Sequence, residues 1–308
     1  MYDLIGDIHG HATELKALLT KLDYREKDGV WQHSERKVIF LGDFVDRGPE
    51  QVETVNMART MVEKGKALAV MGNHEFNAVA WATEDPQNPG NYLRPHIEKN
   101  LKQHRAFLEQ VGDGSELHRS MIKWFKTLPV YLDLPDFRVV HACWHPAHIA
   151  AIANYTGPSN RLLQKSWVKA SQKGSEAYDA IETLLKGLEI PLPGDHHFFD
   201  KDENKRTNIR AEWWRRGELT YRDLAMVPGN VIQQIPHEPV EADVLPGYDG
   251  EKPVFVGHYW MSGEPKPLSD HIACLDYSVA GDHGGKLCAY RFDGEQRLSA
   301  SKFVWVDA

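Results

Sequence analysis

Residues 1–11 read MYDLIGDIHGH. An apolar run ends in Gly6-Asp7, and His9 follows two residues later. In a strand, residues i and i+2 point the same way, so Asp7 and His9 can reach one point just beyond the strand end. A carboxylate and an imidazole meeting there make half a site for a borderline divalent ion such as Mn²⁺, Fe²⁺ or Zn²⁺. Gly6 and Gly10 let the backbone turn sharply around them. Taken alone, the stretch fits a turn aspartate beside a surface histidine equally well.

The design recurs. FLGDFVDRGPE (residues 40–50) is again an apolar run followed by Gly42-Asp43, then Asp46-Arg47 leading into a helix. One carboxylate can bridge two ions, and an arginine can fork onto two phosphate oxygens. A helix-entry ion pair between Asp46 and Arg47 is the alternative. AVMGNHEF (residues 69–76) offers the amide oxygen of Asn73 as a ligand, with His74 beside it to transfer a proton. Two single histidines follow later apolar runs, His141 in FRVVHACWHP and His258 in PVFVGHYW. A lone histidine after a strand is more often structural. Two of them, in a chain already holding three half-sites, favour ligation.

The rest of the chain supplies a scaffold. The runs YDLIGD, KVIFLGD, KALAVMGN, FRVVHA, KPVFVGH, HIACLDYS, KLCAYRFDG and KFVWVDA predict buried strands. Helices are predicted over HATELKALLTKL, PEQVETVNMARTMVEKG and SELHRSMIKWFKTLP. The last has Ser115 as N-cap and Leu117, Met121, Trp124, Phe125 and Leu128 on its apolar stripe. The expected class is α/β, with sheets sandwiched between helices. A single domain over residues 1–308 is expected, with insertions at about 76–114 and 147–240 shaping a substrate cleft.

Hydrophobic content of 42% and charged content of 26% suit a soluble globular protein. The net charge of -8 disfavours nucleic acid and anionic membrane as partners. Cys143, Cys274 and Cys288 are odd in number and widely spaced, which favours a reducing, cytoplasmic setting.

GDIHG, GDFVDRG, GNHE, a strand-terminal histidine and a later GH, in that order, resemble the calcineurin-like metallophosphoesterases. The pattern looks closest to the PPP-type phosphoprotein phosphatases and their bacterial relatives. It covers roughly residues 3–76, 137–146 and 253–260. The resemblance implies a four-layer αββα sandwich of two mixed sheets flanked by helices. It also implies two divalent ions at the strand C-terminal ends, Mn²⁺ in first place and Fe or Zn as alternatives. Carried over, Asp7, His9 and Asp43 hold one ion. Asp43 bridges to the second, which Asn73, His141 and His258 complete. A water or hydroxide between the ions is the implied nucleophile, His74 the general acid tuned by Asp46, and Arg47 the phosphate clamp. Asn73 also lies at the phosphate, and Arg210, in KRTNIRAEWWRRG (residues 205–217), is a further phosphate-binding candidate with Arg206 beside it. A solvated basic face is the alternative for both arginines.

The pattern has departures. Ala142-Cys143 follow His141 where the phosphatases usually have glycine. Trp260 stands where many related phosphodiesterases have a second metal-binding histidine. GNHE, with Glu75, matches the phosphoprotein phosphatases better than the GNHD usual in symmetrical diadenosine tetraphosphate hydrolases. The expected activity is therefore hydrolysis of a phosphomonoester on a protein or small molecule. Symmetrical dinucleoside polyphosphate hydrolysis is the first alternative and a silent phosphate-binding module the second. Trp213 and Trp214 could floor the cleft, but at least one should pack. Tyr259 and Trp260 fit pocket or core. His196 and His197 read as an exposed polar loop, and Cys143 as a small buried residue rather than a nucleophile.

Overall fold

All eight predicted runs form strands in the computed structural model, which describes residues 1–200, 203–241, 243–281 and 284–308. The run at 271–278 is two strands; among the described residues the large sheets add one short strand outside the predictions, 131–133, and small two-stranded ribbons add others. The strands of the two large sheets are β1 (Tyr2–Ile5), β2 (Lys37–Phe40), β3 (Ala67–Ala69), β4 (Tyr131–Asp133) and β5 (Arg138–Val140), then β6 (Val254–Val256), β7 (Ile272–Cys274), β8 (Asp276–Tyr277), β9 (Lys286–Phe292) and β10 (Phe303–Asp307). In the first sheet β1, β2 and β3 are parallel neighbours, while β9 runs antiparallel to β1, β8 and β10. In the second, β7, β6 and β5 are parallel and β4 is antiparallel to β5.

Both faces of both sheets are buried, which is why the runs read as continuous rather than alternating apolar stretches. Leu4, Ile39 and Leu41 of the first sheet meet Val139, Phe255 and Ala273 of the second. Ile5, Val38 and Phe40 on one side, and Val140, Val254 and Val256 on the other, join the outer core made with the helices. The chain passes between the sheets at Leu275, from β7 to β8. A Cβ on Gly6 would stand 2.1 Å from the Leu275 carbonyl oxygen, so glycine is what lets the sheets close there.

The α-helices of six or more residues, among the described residues, are α1 (Ala12–Lys21), α2 (Gln51–Glu63), α3 (Asn73–Trp81), α4 (Glu98–Val111), α5 (Glu116–Phe125), α6 (Pro146–Ile152), α7 (Ser166–Ser171) and α8 (Glu176–Lys186). α1 buries Ala12, Leu15, Leu18 and Leu19, as its pattern predicts. Ser115 caps α5 by accepting from the His118 N–H. One residue of the predicted α5 stripe is misplaced: Leu117 is 39% exposed, and His118 faces the core instead. The reason is a second partner, because His118 Nδ1 accepts the Gly114 N–H at 3.0 Å. The polar stretch 76–114 is largely helical, contributing most of α3 and all of α4. Among the described residues, no helix is long and apolar enough to cross a membrane.

Candidate metal centre

The parallel strands β1, β2 and β3 release their chains at one rim, and β5 and β6 end at the same rim. Asp7 and His9 follow β1, Asp43, Asp46 and Arg47 follow β2, and Asn73 and His74 begin α3 just after β3. His141 follows β5 and His258 follows β6. The five sequence motifs therefore converge. Glycines make the convergence possible by leaving space as well as by turning. A Cβ on Gly72 would lie 2.2 Å from Asp43 Oδ1, and one on Gly257 would lie 2.0 Å from Asp7 Oδ1. His9, Asp43, Asp46, Arg47, His258 and Trp260 all have φ between 48° and 73°. Such non-glycine backbone is sparsely populated and clusters at functional sites.

Two donor groups share Asp43. His9, Asp43 and His74 form one, and Asp43, His141 and His258 the other, with the ligand atoms of each within 4.8 Å of one another. His9 Nδ1–H donates to the Val45 carbonyl at 3.0 Å and His141 Nδ1–H to the Leu41 carbonyl at 2.6 Å. These bonds leave each Nε2 as the free lone pair, the arrangement by which outer hydrogen bonds orient imidazole ligands. His141 Nε2 is 3.2 Å from both Asp43 Oδ2 and Asn73 Oδ1, and His258 Nδ1 is 2.8 Å from Asn73 Oδ1. Separations near 3 Å suit neighbouring ligands around one small cation with bonds of about 2.0–2.2 Å. Asp7 Oδ1 and His9 Nε2 are buried without a hydrogen-bond partner. Buried polar atoms are normally paired, so these two are ready for an ion.

The electrostatics agree. Burial and the charge of Asp276 push Asp7 well up. Burial and the neighbouring His74 push His9 down to about 3, and burial with Arg210 pushes His258 down. Burial also disfavours charged His141, but Asp43 and Asp7 outweigh it and push it up to about 10. No lysine or arginine among the described residues ion-pairs with Asp7 or Asp43. Carboxylates with imidazoles, two of them held neutral, and no lysine or arginine partner suit divalent cations, which would take the place of the proton on His141.

Beside this centre, His74 Nδ1 lies 2.5 Å from Asp46 Oδ2, and the His74 N–H donates to Asp43 Oδ1 at 3.0 Å. The second Asp46 oxygen meets His104 Nδ1 at 2.6 Å. Burial opposes the charged forms of both Asp46 and His74. For Asp46 the imidazoles of His104 and His74 outweigh it and hold the carboxyl low, and for His74 Asp43 and Asp46 outweigh it and hold the imidazole high. His104 escaped the sequence reading. Its one signal is a place on the apolar face of α4 with Phe107, Leu108 and Val111.

The weaker candidates separate cleanly. The Arg47 guanidinium lies 4.4 Å over the Trp260 ring, so Trp260 borders the site while Tyr259 is buried. Arg210 is close enough to depress His258, and its Nε is buried without a partner. Arg206 is exposed and lies 3.7 Å from Glu189. Both tryptophans pack: Trp213 Nε1 donates to the Ala142 carbonyl and the Tyr259 hydroxyl, and Trp214 meets the Tyr259 ring. His196 and His197 are exposed, and Cys143 is fully buried.

A sandwich with such a donor set at its strand ends defines a metallophosphoesterase. The chain belongs to the calcineurin-like phosphoesterase family, whose model matches residues 2–285, and it is a hydrolase of that class. It is 35% identical over 187 residues to an asymmetrical bis(5'-nucleosyl)-tetraphosphatase of Bacillus velezensis, covering 55% of this chain and 72% of that one. It is 23% identical over 312 residues to a symmetrical bis(5'-nucleosyl)-tetraphosphatase of Pectobacterium carotovorum, covering 97% and 94%. The alignment to another asymmetrical relative, from Oceanobacillus iheyensis, covers 54% of that protein at 30% identity. A cold-active protein-tyrosine phosphatase of a psychrophilic Shewanella shares the fold, with a TM-score of 0.53 at 16% identity over 99% of this chain and 79% of that one.

Proposed function

We propose that this chain hydrolyses a phosphoanhydride of dinucleoside polyphosphates, with diadenosine tetraphosphate as the model substrate. The observation that carries the reading is its similarity to bis(5'-nucleosyl)-tetraphosphatases of both kinds. The preference for a phosphomonoester gives way to that similarity, and Glu75, one of its three sequence hints beside Trp260 and the Arg47–Arg210 pair, loses its basis. Glu75 is fully buried and turned onto backbone N–H groups, away from any substrate.

In this reading Asp7, His9 and Asp43 hold one divalent ion, and Asp43, Asn73, His141 and His258 the other, with Mn²⁺ as the proposed occupant. Such a pair supplies charge to the phosphoryl oxygens and makes water a nucleophile near neutral pH. Arg47 forks onto the phosphoryl oxygens, held over Trp260. Arg210 and the Asn73 amide approach the same group. His74 protonates the departing oxygen, and Asp46 fixes the imidazole that does so. The three buried, unpaired cysteines suit a reducing compartment such as the cytoplasm.

The test compares kcat/KM for diadenosine tetraphosphate, a phosphopeptide and an aryl phosphate in Mn²⁺-loaded protein. The reading expects at least a tenfold preference for the dinucleotide. ADP as sole product marks a symmetrical cut, and ATP plus AMP an asymmetrical one. A preference for the phosphopeptide would return the assignment to a phosphomonoesterase.

A further inference from the structure

A cleft of about 820 Å³ opens on His74 and Arg47, and its opposite wall is one face of α4. Lys99, Lys102, Gln103 and Arg105 line that wall, with Glu109 the one carboxylate among the described residues at the cleft's lining. Lys99, Lys102, Gln103 and Ala106 recur at helical spacing, so they share a face. The other face buries His104, Phe107, Leu108 and Val111. His104 is the residue that meets Asp46, so a buried contact fixes the basic wall relative to the site.

The charges on this wall are available. Arg105 pairs with Glu98 at 2.9 Å, but among the described residues neither Lys99 nor Lys102 has an ion pair or hydrogen bond. Gln103 is held by Arg94 Nη2 at 2.7 Å, and the Arg94 guanidinium feels the charge of Asp46. In a chain of net charge -8, free cations facing a phosphoryl-transfer site mark an anion path.

We propose that the α4 wall is a subsite for the polyphosphate chain beyond the scissile phosphoryl group, with Lys99 and Lys102 contacting successive phosphates. The two lysines are about 4.5 Å apart along the helix axis at 1.5 Å per residue. The proposal rests on the substrate reading above. A phosphomonoester has no phosphate to place there, so the wall selects for polyphosphate esters.

The test is the double variant Lys99→Gln, Lys102→Gln in Mn²⁺-loaded enzyme. Both side chains are exposed, so the fold is not at stake. The kcat/KM for diadenosine tetraphosphate should fall at least tenfold more than that for an aryl phosphate, mainly through KM. Inhibition of aryl phosphate hydrolysis by inorganic tripolyphosphate, at fixed free Mn²⁺, should weaken by a similar factor. Lys99→Arg with Lys102→Arg should retain both. Equal losses on the two substrates, or none, with unaltered inhibition, overturn the subsite. If wild type prefers a phosphomonoester while tripolyphosphate inhibition still depends on the lysines, the subsite stands and the substrate reading falls.

Discussion

His104 Nδ1 lies 2.6 Å from Asp46 Oδ1, in a buried contact between residues 58 apart in sequence. Asp46 is thereby gripped on both oxygens, by His104 and by His74. A carboxylate fixed in this way fixes the imidazole it serves. His104→Gln should lower kcat about tenfold, which is about 1.4 kcal/mol, on substrates with poor leaving groups. KM and metal content should stay close to wild type. Loss of a buried hydrogen bond to a charged group should also cost about 1.5–3 kcal/mol of stability. Denaturant unfolding, metal analysis and steady-state kinetics together check this. A drop in metal content equal to the drop in kcat would mean that His104 merely holds the fold.

Asp43 belongs to both donor groups, so it is the residue whose loss should empty both sites. Purified wild type should carry about two ions per chain, as two-metal hydrolases do. Asp43→Asn should carry fewer than one, whereas His9→Asn should lose one and keep the other. Chelation should abolish hydrolysis of an aryl phosphate, and Mn²⁺ should restore it. Elemental analysis and a metal add-back assay read these outcomes. Full activity after exhaustive metal removal would sink the two-ion reading.

The site was legible because each donor sits within a few residues of a strand end, where chain order and spatial order coincide. Asp7 and His9 were read from the two-residue period of a strand, but β1 ends at Ile5 and His9 has a φ of 48°, so a turn rather than strand alternation carries them to the rim. The glycines were legible as turn residues, but their second role was not. Only the structure shows that Gly72 and Gly257 leave room for the Asp43 and Asp7 carboxylates of neighbouring strands. His104 was hidden because its partner lies on another element and it resembles any histidine in a polar helix. Leu117 misled for a related reason: the α5 stripe admits either 117 or 118, and a hydrogen bond to Gly114 decides for the histidine. Substrate class was the least legible feature, since the cleft wall comes from α4, in a stretch that read as a polar insertion.

Acid should destabilise this protein in part through His145 and His148, whose rings lie 4.4 Å apart at the start of α6. Burial, then the charge of His148, pushes His145 down to about 4, and burial pushes His148 down too. In the unfolded chain both return to about 6.5. Between those values the unfolded state binds protons that the folded state refuses. Their contribution to stability is therefore complete above about pH 6.5 and is lost as pH falls toward 4. His145 also caps α6 by accepting the His148 N–H. His145→Asn keeps an acceptor there without titrating. The fall in Tm from pH 7.5 to 5.0, measured with chelator in both proteins, should be smaller in the variant. An equal fall would mean that other groups carry the acid sensitivity.

Glu75 is one of the three features behind the substrate preference read from the sequence, and its surroundings assign it different work. Oε2 accepts the Asp43 N–H at 2.8 Å and the Gly72 N–H at 3.0 Å, while Oε1 accepts the Phe44 N–H at 2.8 Å. Burial and the charge of Asp43 push its carboxyl up to about 7. Glu75→Asp keeps the carboxylate but withdraws it by one methylene, leaving up to three buried N–H donors short of an acceptor. Each such donor costs about 1–3 kcal/mol, so partial relaxation should leave the variant about 2–4 kcal/mol less stable. Slackening at Asp43 should weaken metal binding and lower kcat/KM on every substrate. Because the side chain never reaches the cleft, diadenosine tetraphosphate and aryl phosphate should lose by the same factor. Denaturant unfolding and paired kinetics on metal-saturated protein decide it. A shift of more than tenfold in the ratio of the two kcat/KM values would restore position 75 as a selector of substrate class.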